Sequence, residues 1–238
     1  MKNENHALRA ALLRIAAYVA VMSLYENAGA ERFGEAGRFL TVGALLLLLL
    51  LGLRRQGLGF REAPLCDLFC ARFLYLLPMA AIATVNLWNG AALRFSAADT
   101  AIYVGAMLLI GVVEELLFRG CLLSAMLRES VAAAVLVTGL TFGLGHIVNL
   151  ANGADLAETL LQLVYAAAIG LMLSVFMVRS RNIVPCCIFH GVFNALAAFA
   201  REEGQTIGYQ VAVCAAVTAL SLGYAWYLWK LPAREETA

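Results

Sequence analysis

Charged residues are scarce in this sequence, and their scarcity argues against a soluble protein. Only 14% of the 238 residues are Asp, Glu, Lys or Arg, and 63% are hydrophobic. A soluble domain is usually about half apolar and about a quarter charged. The run "ALLLLLLLGL" at positions 44–53 would be difficult to keep in water. The net charge of +1 and the lack of a basic stripe give no reason to expect a nucleic-acid partner.

The sequence also lacks a CxxC pair and an HExxH motif, although it contains six cysteines. Cys121, Cys187 and Cys214 lie in apolar segments, where a free cysteine behaves as a small hydrophobic residue. Cys66 and Cys70 are four residues apart. This spacing indicates neither a disulfide framework nor a thiolate metal site.

Segments of about 20 apolar residues recur along the whole chain, as a helical membrane protein requires. We therefore predict an all-α, polytopic integral membrane helical bundle with about eight transmembrane helices. The joins between the segments are short and polar, so residues 1–238 are expected to form a single membrane domain. The predicted spans are about 8–25, 37–53, 67–89, 100–127, 131–149, 157–178, 183–200 and 207–229.

The distribution of basic residues predicts the orientation of these spans. Eight spans place both termini on one side, where ten Lys or Arg residues lie in the joins, in the tails or at the ends of spans, against four on the other side. Because cytoplasmic loops are enriched in Lys and Arg, both termini are expected in the cytoplasm. Lys2, an apolar run and "AGA" at 28–30 imitate a signal peptide, but Arg14 interrupts the run. We expect residues 1–30 to be retained as a helix.

The stretch "VVEELLFRG" at 112–120 places three formal charges inside one of the most apolar parts of the chain. A charged residue at the centre of a bilayer costs at least about 2.5–3.5 kcal/mol, so these groups must face the protein interior around a buried polar cavity. Glu115 and Arg119 are i, i+4 neighbours and are predicted to form an ion pair. Glu114 points about 100° away on the helix and is left without that partner. It is therefore a candidate general base.

Two of the three histidines, His146 and His190, also lie in apolar spans. His190 and Asn194 are four residues apart and share a helix face. Gly143 and Gly145 beside His146, and Gly191 beside His190, are expected to let neighbouring helices approach closely. The predicted spans place His146 near the outer end of its helix and Glu114 near the middle of the membrane.

The motifs "EELLFR", "FGLGH" and "HGVFN" fit the patterns EExxxR, FxxxH and HxxxN, in that order on successive predicted helices. In these motifs the chain resembles the CPBP family of intramembrane proteases, which comprises type II CAAX prenyl proteases and bacteriocin-processing (Abi) proteins. The resemblance covers a motif core of about 100–200. It implies peptide-bond hydrolysis, with Glu114, His146, His190 and Asn194 as the catalytic residues.

The chemistry of these side chains suggests a role for each. Glu114 is expected to deprotonate a water held against His146, and this water attacks the scissile carbonyl. His190 and Asn194 are expected to donate hydrogen bonds to the developing oxyanion. Glu115 and Arg119 are assigned a supporting role, in which they orient the helix of Glu114 and neutralise its surroundings.

Three alternatives remain open from the sequence. Glu114, His146 and His190 could instead bind zinc as a His₂Glu set, although this would use up the candidate base, so no metal is favoured as the cofactor. Buried Glu and His residues also relay protons in transporters, which typically show two related halves. A non-catalytic immunity scaffold of the same fold is the third alternative.

The expected partners are membrane lipid and a substrate that is a membrane-anchored peptide or protein. The resemblance suggests the inner membrane of a bacterium. Eukaryotic relatives cut prenylated CAAX tails, but the sequence does not identify the substrate of this chain.

Overall fold

The structure is a computed structural model that describes residues 2–55, 73–127 and 129–231. These residues form helices and turns, with one isolated bridge between Ala91 and Ala200 and no strand. The all-α prediction is therefore confirmed. The predicted span at 67–89 begins outside the described residues, and Cys66 and Cys70 lie outside them.

The helices are joined by short turns, and most of the long ones begin at a polar capping residue. A cap side chain accepts a hydrogen bond from a free backbone N–H of the first turn. The helices are α1 Lys2–Leu24, α2 Ala30–Arg55, α3 Phe73–Ala83, α4 Ala97–Met126, α5 Val131–Gly145, α6 Val148–Ala151, α7 Leu156–Ser180, α8 Val184–Ala195 and α9 Ile207–Lys230. The caps of α4, α5, α7 and α9 are Ser96, Ser130, Asp155 and Thr206.

Five helical stretches of the described residues are long and apolar enough to cross a membrane, fewer than the eight predicted spans. The spans predicted at 100–127, 131–149, 157–178 and 207–229 each correspond to one of them. The remaining stretch contains both of the first two predicted spans. The five stretches are His6–Arg54, Ala97–Met126, Val131–Ala151, Leu156–Ser180 and Ile207–Lys230.

The N-terminal stretch is helical through the polar join that was predicted to separate two spans. Its 49 residues would extend about 74 Å, more than twice the roughly 30 Å hydrocarbon core of a bilayer. The stretch breaks at Gly34, whose φ of 54° is accessible mainly to glycine. The Tyr25 hydroxyl donates to the Gly34 carbonyl, and Arg38 pairs with Glu26 at 3.0 Å. These contacts join the two sides of the break.

The span predicted at 183–200 is shorter than a full crossing. Val184–Phe199 consists of α8 and one further 3₁₀ turn, and at about 1.5 Å per residue it extends about 24 Å. Pro185 begins the helix, where its fixed φ suits the first turn. Together with the N-terminal stretch, α8 leaves the count of eight spans unconfirmed.

Glycines bring the backbones of α4 and α8 into direct contact, which fixes the centre of the bundle. A Cβ added at Gly111 would lie 2.4 Å from the backbone nitrogen of Gly191, so α4 has no room for a side chain there. Helices α5 and α7 cross in the same way, with Gly143 against Ala167. The close approach predicted at Gly145 is wrong, because no atom lies within 4 Å of a Cβ added there.

Candidate active site

Glu115 and Arg119 form a completely buried ion pair on α4. Arg119 Nη1 donates to Glu115 Oε1 at 2.8 Å, which confirms the pair predicted from the i, i+4 spacing. Arg119 Nη2 donates to the Gly170 carbonyl of α7 at 2.9 Å, and the guanidinium lies 4.6 Å from the ring centroid of Phe142. The buried charge of Arg119 is therefore compensated by its own helix and by two neighbouring helices.

The carboxylate of Glu115 is at the end of the α-helical part of α4, and Arg119 lies in a π-helical segment, Leu116–Leu123. In a π-helix the backbone N–H binds the carbonyl five residues earlier, so the helix is locally wider. Such segments are frequent at functional sites. Here the segment begins directly after the two carboxylates.

His190 of α8 lies between the carboxylates of Glu115 and Glu114. Its Nδ1 is 2.9 Å from Glu115 Oε1, and its Nε2 is 3.5 Å from Glu114 Oε2. An ionised carboxylate can only accept, so Nδ1 carries the hydrogen of that bond. Glu115 thereby fixes the orientation of the His190 ring, with Nε2 directed at Glu114. The contact between α4 and α8 at Gly111 and Gly191 is what brings the three side chains together.

Glu114 has no contact with Arg119, as predicted, but it has two other partners. The hydroxyl of Tyr18 on α1 donates to Glu114 Oε1 at 2.8 Å. The second oxygen, Oε2, faces His190. Glu114 is more accessible than its neighbour, because 16% of its side chain is exposed whereas the side chain of Glu115 is fully buried. Of the two carboxylates, Glu114 is therefore the one that a small molecule in the adjacent cavity can reach.

His146 follows the last residue of α5. Its Nδ1 lies 3.1 Å from the carbonyl oxygen of Phe142, so Nδ1 carries the hydrogen and Nε2 is left for another partner. The rings of His146 and His190 both approach the Phe142 ring, with centroid separations of 5.4 and 5.3 Å. Phe142 is thus the common support of both imidazoles and of the Arg119 guanidinium.

Glu114 and His146 lie at similar distances along their helices from the turn that joins α4 and α5, although the predicted spans separated them in depth. Glu114 lies twelve residues before the end of α4 at Met126, and His146 lies fifteen residues after the start of α5 at Val131. At about 1.5 Å per residue these positions are about 18 and 22 Å from the short turn that joins the two helices.

A cavity of about 290 Å³ lies beside these groups, between α1, α4, α5 and α6. Tyr18, Glu114 and His146 are among the residues that line it. His190 and Asn194 are not among its lining residues. Asn194 is half-buried on α8, one turn after His190. The structure therefore brings Glu114, His146 and His190 into one neighbourhood and leaves Asn194 at its margin.

The arrangement of donor atoms bears on the zinc alternative. Across the described parts of the chain, no three His, Cys, Asp or Glu side chains are arranged so that they could hold a metal ion. The set Glu114, His146 and His190 does not fit the compact His₂Glu geometry, in which each ligand atom lies about 2.0–2.2 Å from zinc. Cys121, Cys186 and Cys214 are free thiols.

A comparison with protein families matches residues 96–196 to the family described as type II CAAX prenyl endopeptidase Rce1-like. We refer to the matched residues below as the Rce1-like domain. The domain extends from the cap of α4 to the end of α8 and contains all three motifs. A comparison with curated proteins finds no match. The match agrees with the CPBP and CAAX protease resemblance of the sequence, and the apolar helices support an integral membrane protein.

Helix α1 lies outside the Rce1-like domain, yet it contributes residues that the sequence did not identify as part of the site. Tyr18 contacts Glu114, and Arg14 Nη1 contacts the Cys121 sulfur at 3.7 Å. Arg14 therefore faces the protein, which explains how an apolar span accommodates it. A tyrosine in an apolar helix carries no signal of its own in a sequence. Phe142 was visible only as the first position of the FxxxH motif.

Proposed function

We propose that this protein is an intramembrane endopeptidase that hydrolyses peptide bonds of membrane-anchored peptides or proteins. The observation that carries the proposal is the placement of Glu114. Its carboxylate borders a cavity that it shares with His146 and lies beside His190, within a domain of the Rce1-like family. The family implies a protease, and the side chains supply a base and hydrogen-bonding groups for hydrolysis.

Glu114 acts as the general base in the proposed mechanism. A water in the cavity between Glu114 and His146 gives its proton to the Glu114 carboxylate, and its oxygen bonds to the scissile carbonyl carbon. His146 Nε2 holds this water, because Nδ1 is occupied by the Phe142 carbonyl. The tetrahedral intermediate then collapses, the C–N bond breaks, and the proton on Glu114 passes to the leaving amine.

His190 stabilises the oxyanion of that intermediate. Its Nδ1 hydrogen is bound by Glu115, so Nε2 can donate a hydrogen bond only when the ring is an imidazolium. Asn194 supplies a second donor from the next turn of α8. Glu115 and Arg119 act through His190, which they hold in place.

The proposed mechanism contains no step that uses a metal, because Glu114 serves in it as the base. Zinc-dependent hydrolysis by Glu114, His146 and His190 differs from this proposal in one measurable property. It would stop when zinc is removed by a chelator, whereas the glutamate mechanism would continue.

The substrate is expected to reach the site from the bilayer, since the cavity lies among membrane-spanning helices. We propose an orientation with both termini in the cytoplasm and a location in a bacterial inner membrane. The family description directs the first substrate screen to peptides that end in a prenylated CAAX sequence.

The test is a proteomic comparison of membranes that contain the wild-type protein or the variant Glu114→Gln. Gln keeps the size of Glu and can still accept the Tyr18 hydrogen bond, but it cannot take a proton. Peptides released only by the wild-type protein would support the proposal. The matched control is Glu203→Gln, which changes an 88% exposed carboxylate far from the site in sequence and should release the wild-type set. Identical peptides from wild type and Glu114→Gln would refute the proposal.

A further inference from the structure

Tyr18 is the one described residue whose hydroxyl is bonded to the proposed base, and it belongs to a helix outside the Rce1-like domain. It lies on α1, 96 positions before Glu114, and only 8% of it is exposed. Ala11, Tyr18 and Tyr25 are each seven residues apart and are all buried, so they form one face of the N-terminal helical run. Ala11 and Tyr18 share a buried cluster with residues of the π-helical segment Leu116–Leu123, against which α1 packs, whereas Tyr25 contacts Gly34 of α2.

The contact determines the direction of the Glu114 carboxylate. Tyr18 Oη holds Oε1 at 2.8 Å, and the carboxylate is planar, so fixing Oε1 limits where Oε2 can lie. Oε2 faces His190 Nε2 at 3.5 Å. Without the Tyr18 bond, only the 3.5 Å contact between Oε2 and His190 Nε2 restrains rotation about the terminal torsion of Glu114. The angles that this torsion adopts are intrinsically broadly distributed.

Contacts on both sides of Tyr18 hold α1 in place. One turn earlier, Arg14 contacts Cys121 of the π-helical segment. Five residues later, the Ser23 hydroxyl donates to Asn152 Oδ1 at 2.6 Å, and the Asn27 side chain donates to the same oxygen at 2.7 Å. Asn152 follows α6 and lines the cavity. The Tyr18 ring is thus held by a helix that makes side-chain contacts both before and after Tyr18.

We propose that Tyr18 is a positioning residue for the general base Glu114, so that the site is complete only when α1 is docked on the Rce1-like domain. This inference rests on the proposed function, because it assigns Tyr18 a part in the same hydrolysis. If Tyr18 served only to attach α1 to α4, its hydroxyl would affect stability and leave the rate unchanged.

The experiment compares Tyr18→Phe with Tyr25→Phe. Each variant removes one hydroxyl from a buried tyrosine on the same helical face and keeps the ring, but only Tyr18 touches Glu114. The first readout is the rate at which membranes release the peptides that depend on Glu114. Tyr18→Phe is expected to slow release by about 10- to 100-fold, as misplacement of a reacting group does. Tyr25→Phe should stay within about two-fold of wild type after correction for the amount of folded protein.

The second readout is the carboxylate infrared band in purified protein that contains ¹³C-labelled glutamate. The difference spectrum between Tyr18→Phe and wild type should show one displaced carboxylate band. This band should be missing from the difference spectrum between the double variant Tyr18→Phe with Glu114→Gln and the single variant Glu114→Gln. Tyr25→Phe should show no such band. This readout needs no substrate and reports on folded protein, so a loss of yield does not affect its meaning.

A wild-type release rate or an unchanged carboxylate band in Tyr18→Phe would overturn the proposal for Tyr18. If Glu114→Gln is inactive at the same time, the proposed function stands and only the role of Tyr18 fails. If Glu114→Gln releases peptides as wild type does, the proposed function fails, and the positioning role fails with it.

Discussion

Replacement of Arg119 by alanine should destabilise the protein more than almost any other single change in the described bundle. Arg119 is fully buried, and three partners compensate its charge: Glu115, the Gly170 carbonyl and the Phe142 ring. Arg119→Ala removes all three contacts. It leaves Glu115 buried beside His190 without the guanidinium that balances its charge. Breaking one partner of a buried ion pair costs about 3–5 kcal/mol.

Thermal unfolding in detergent measures this loss. A change of 1 kcal/mol shifts the melting temperature by roughly 2–4 °C in a chain of 150–250 residues, so a decrease on the order of 10 °C is expected. The double variant Arg119→Met with Glu115→Gln removes both charges together and should recover part of the loss, since no unpaired charge remains. A melting temperature of Arg119→Ala equal to that of wild type would refute the reasoning. A double variant that is less stable than Arg119→Ala would also refute it.

Three further predictions concern the site. Asn194→Ala should reduce turnover by about 10²–10³-fold if Asn194 donates to the oxyanion, and peptide-release kinetics with an unchanged melting temperature would show it. Gly111→Ala should lower both stability and activity, because the added Cβ would lie 2.4 Å from the Gly191 nitrogen; the control Gly223→Ala, with no atom within 4 Å, should behave as wild type in melting and release assays. Treatment with a chelator should leave peptide release unchanged, and metal analysis that finds stoichiometric zinc lost together with activity would contradict the glutamate mechanism.

The contacts within one helix could be predicted from the sequence, because helical geometry fixes them. Glu115 and Arg119 are four residues apart, and the ion pair follows from that spacing alone. The apolar segments likewise predicted the helices at 100–127, 157–178 and 207–229, since hydropathy and length decide which segments can cross a bilayer.

Contacts between helices could not be predicted in the same way. The placement of His190 between two carboxylates depends on the crossing of α4 and α8 at Gly111 and Gly191, which a sequence shows only as two glycines. The bond from Tyr18 to Glu114 depends on how α1 packs against α4.

The helical structure of the join around Gly34 was missed for a different reason. The residues around it, "ENAGAERFGEA", were interpreted as a polar join, but Ala, Glu and Arg favour helix. Only the backbone conformation of one glycine separates the two parts of the run.

The Tyr18 contact also gives the N-terminal helix a part in the proposed site. Residues 96–196 match the family model, but the base within them is bound by a side chain from α1. Removal of residues 1–30 would take this hydroxyl away.

A base role for Glu114 is tested most directly by the rate of peptide-bond cleavage by the purified Glu114→Gln variant, on a peptide that the wild-type protein releases from membranes. The variant should have a melting temperature close to that of wild type and a cleavage rate lower by about 10²–10⁴-fold, the usual contribution of a general base. A folded Glu114→Gln variant that cleaves the peptide at the wild-type rate would contradict that role.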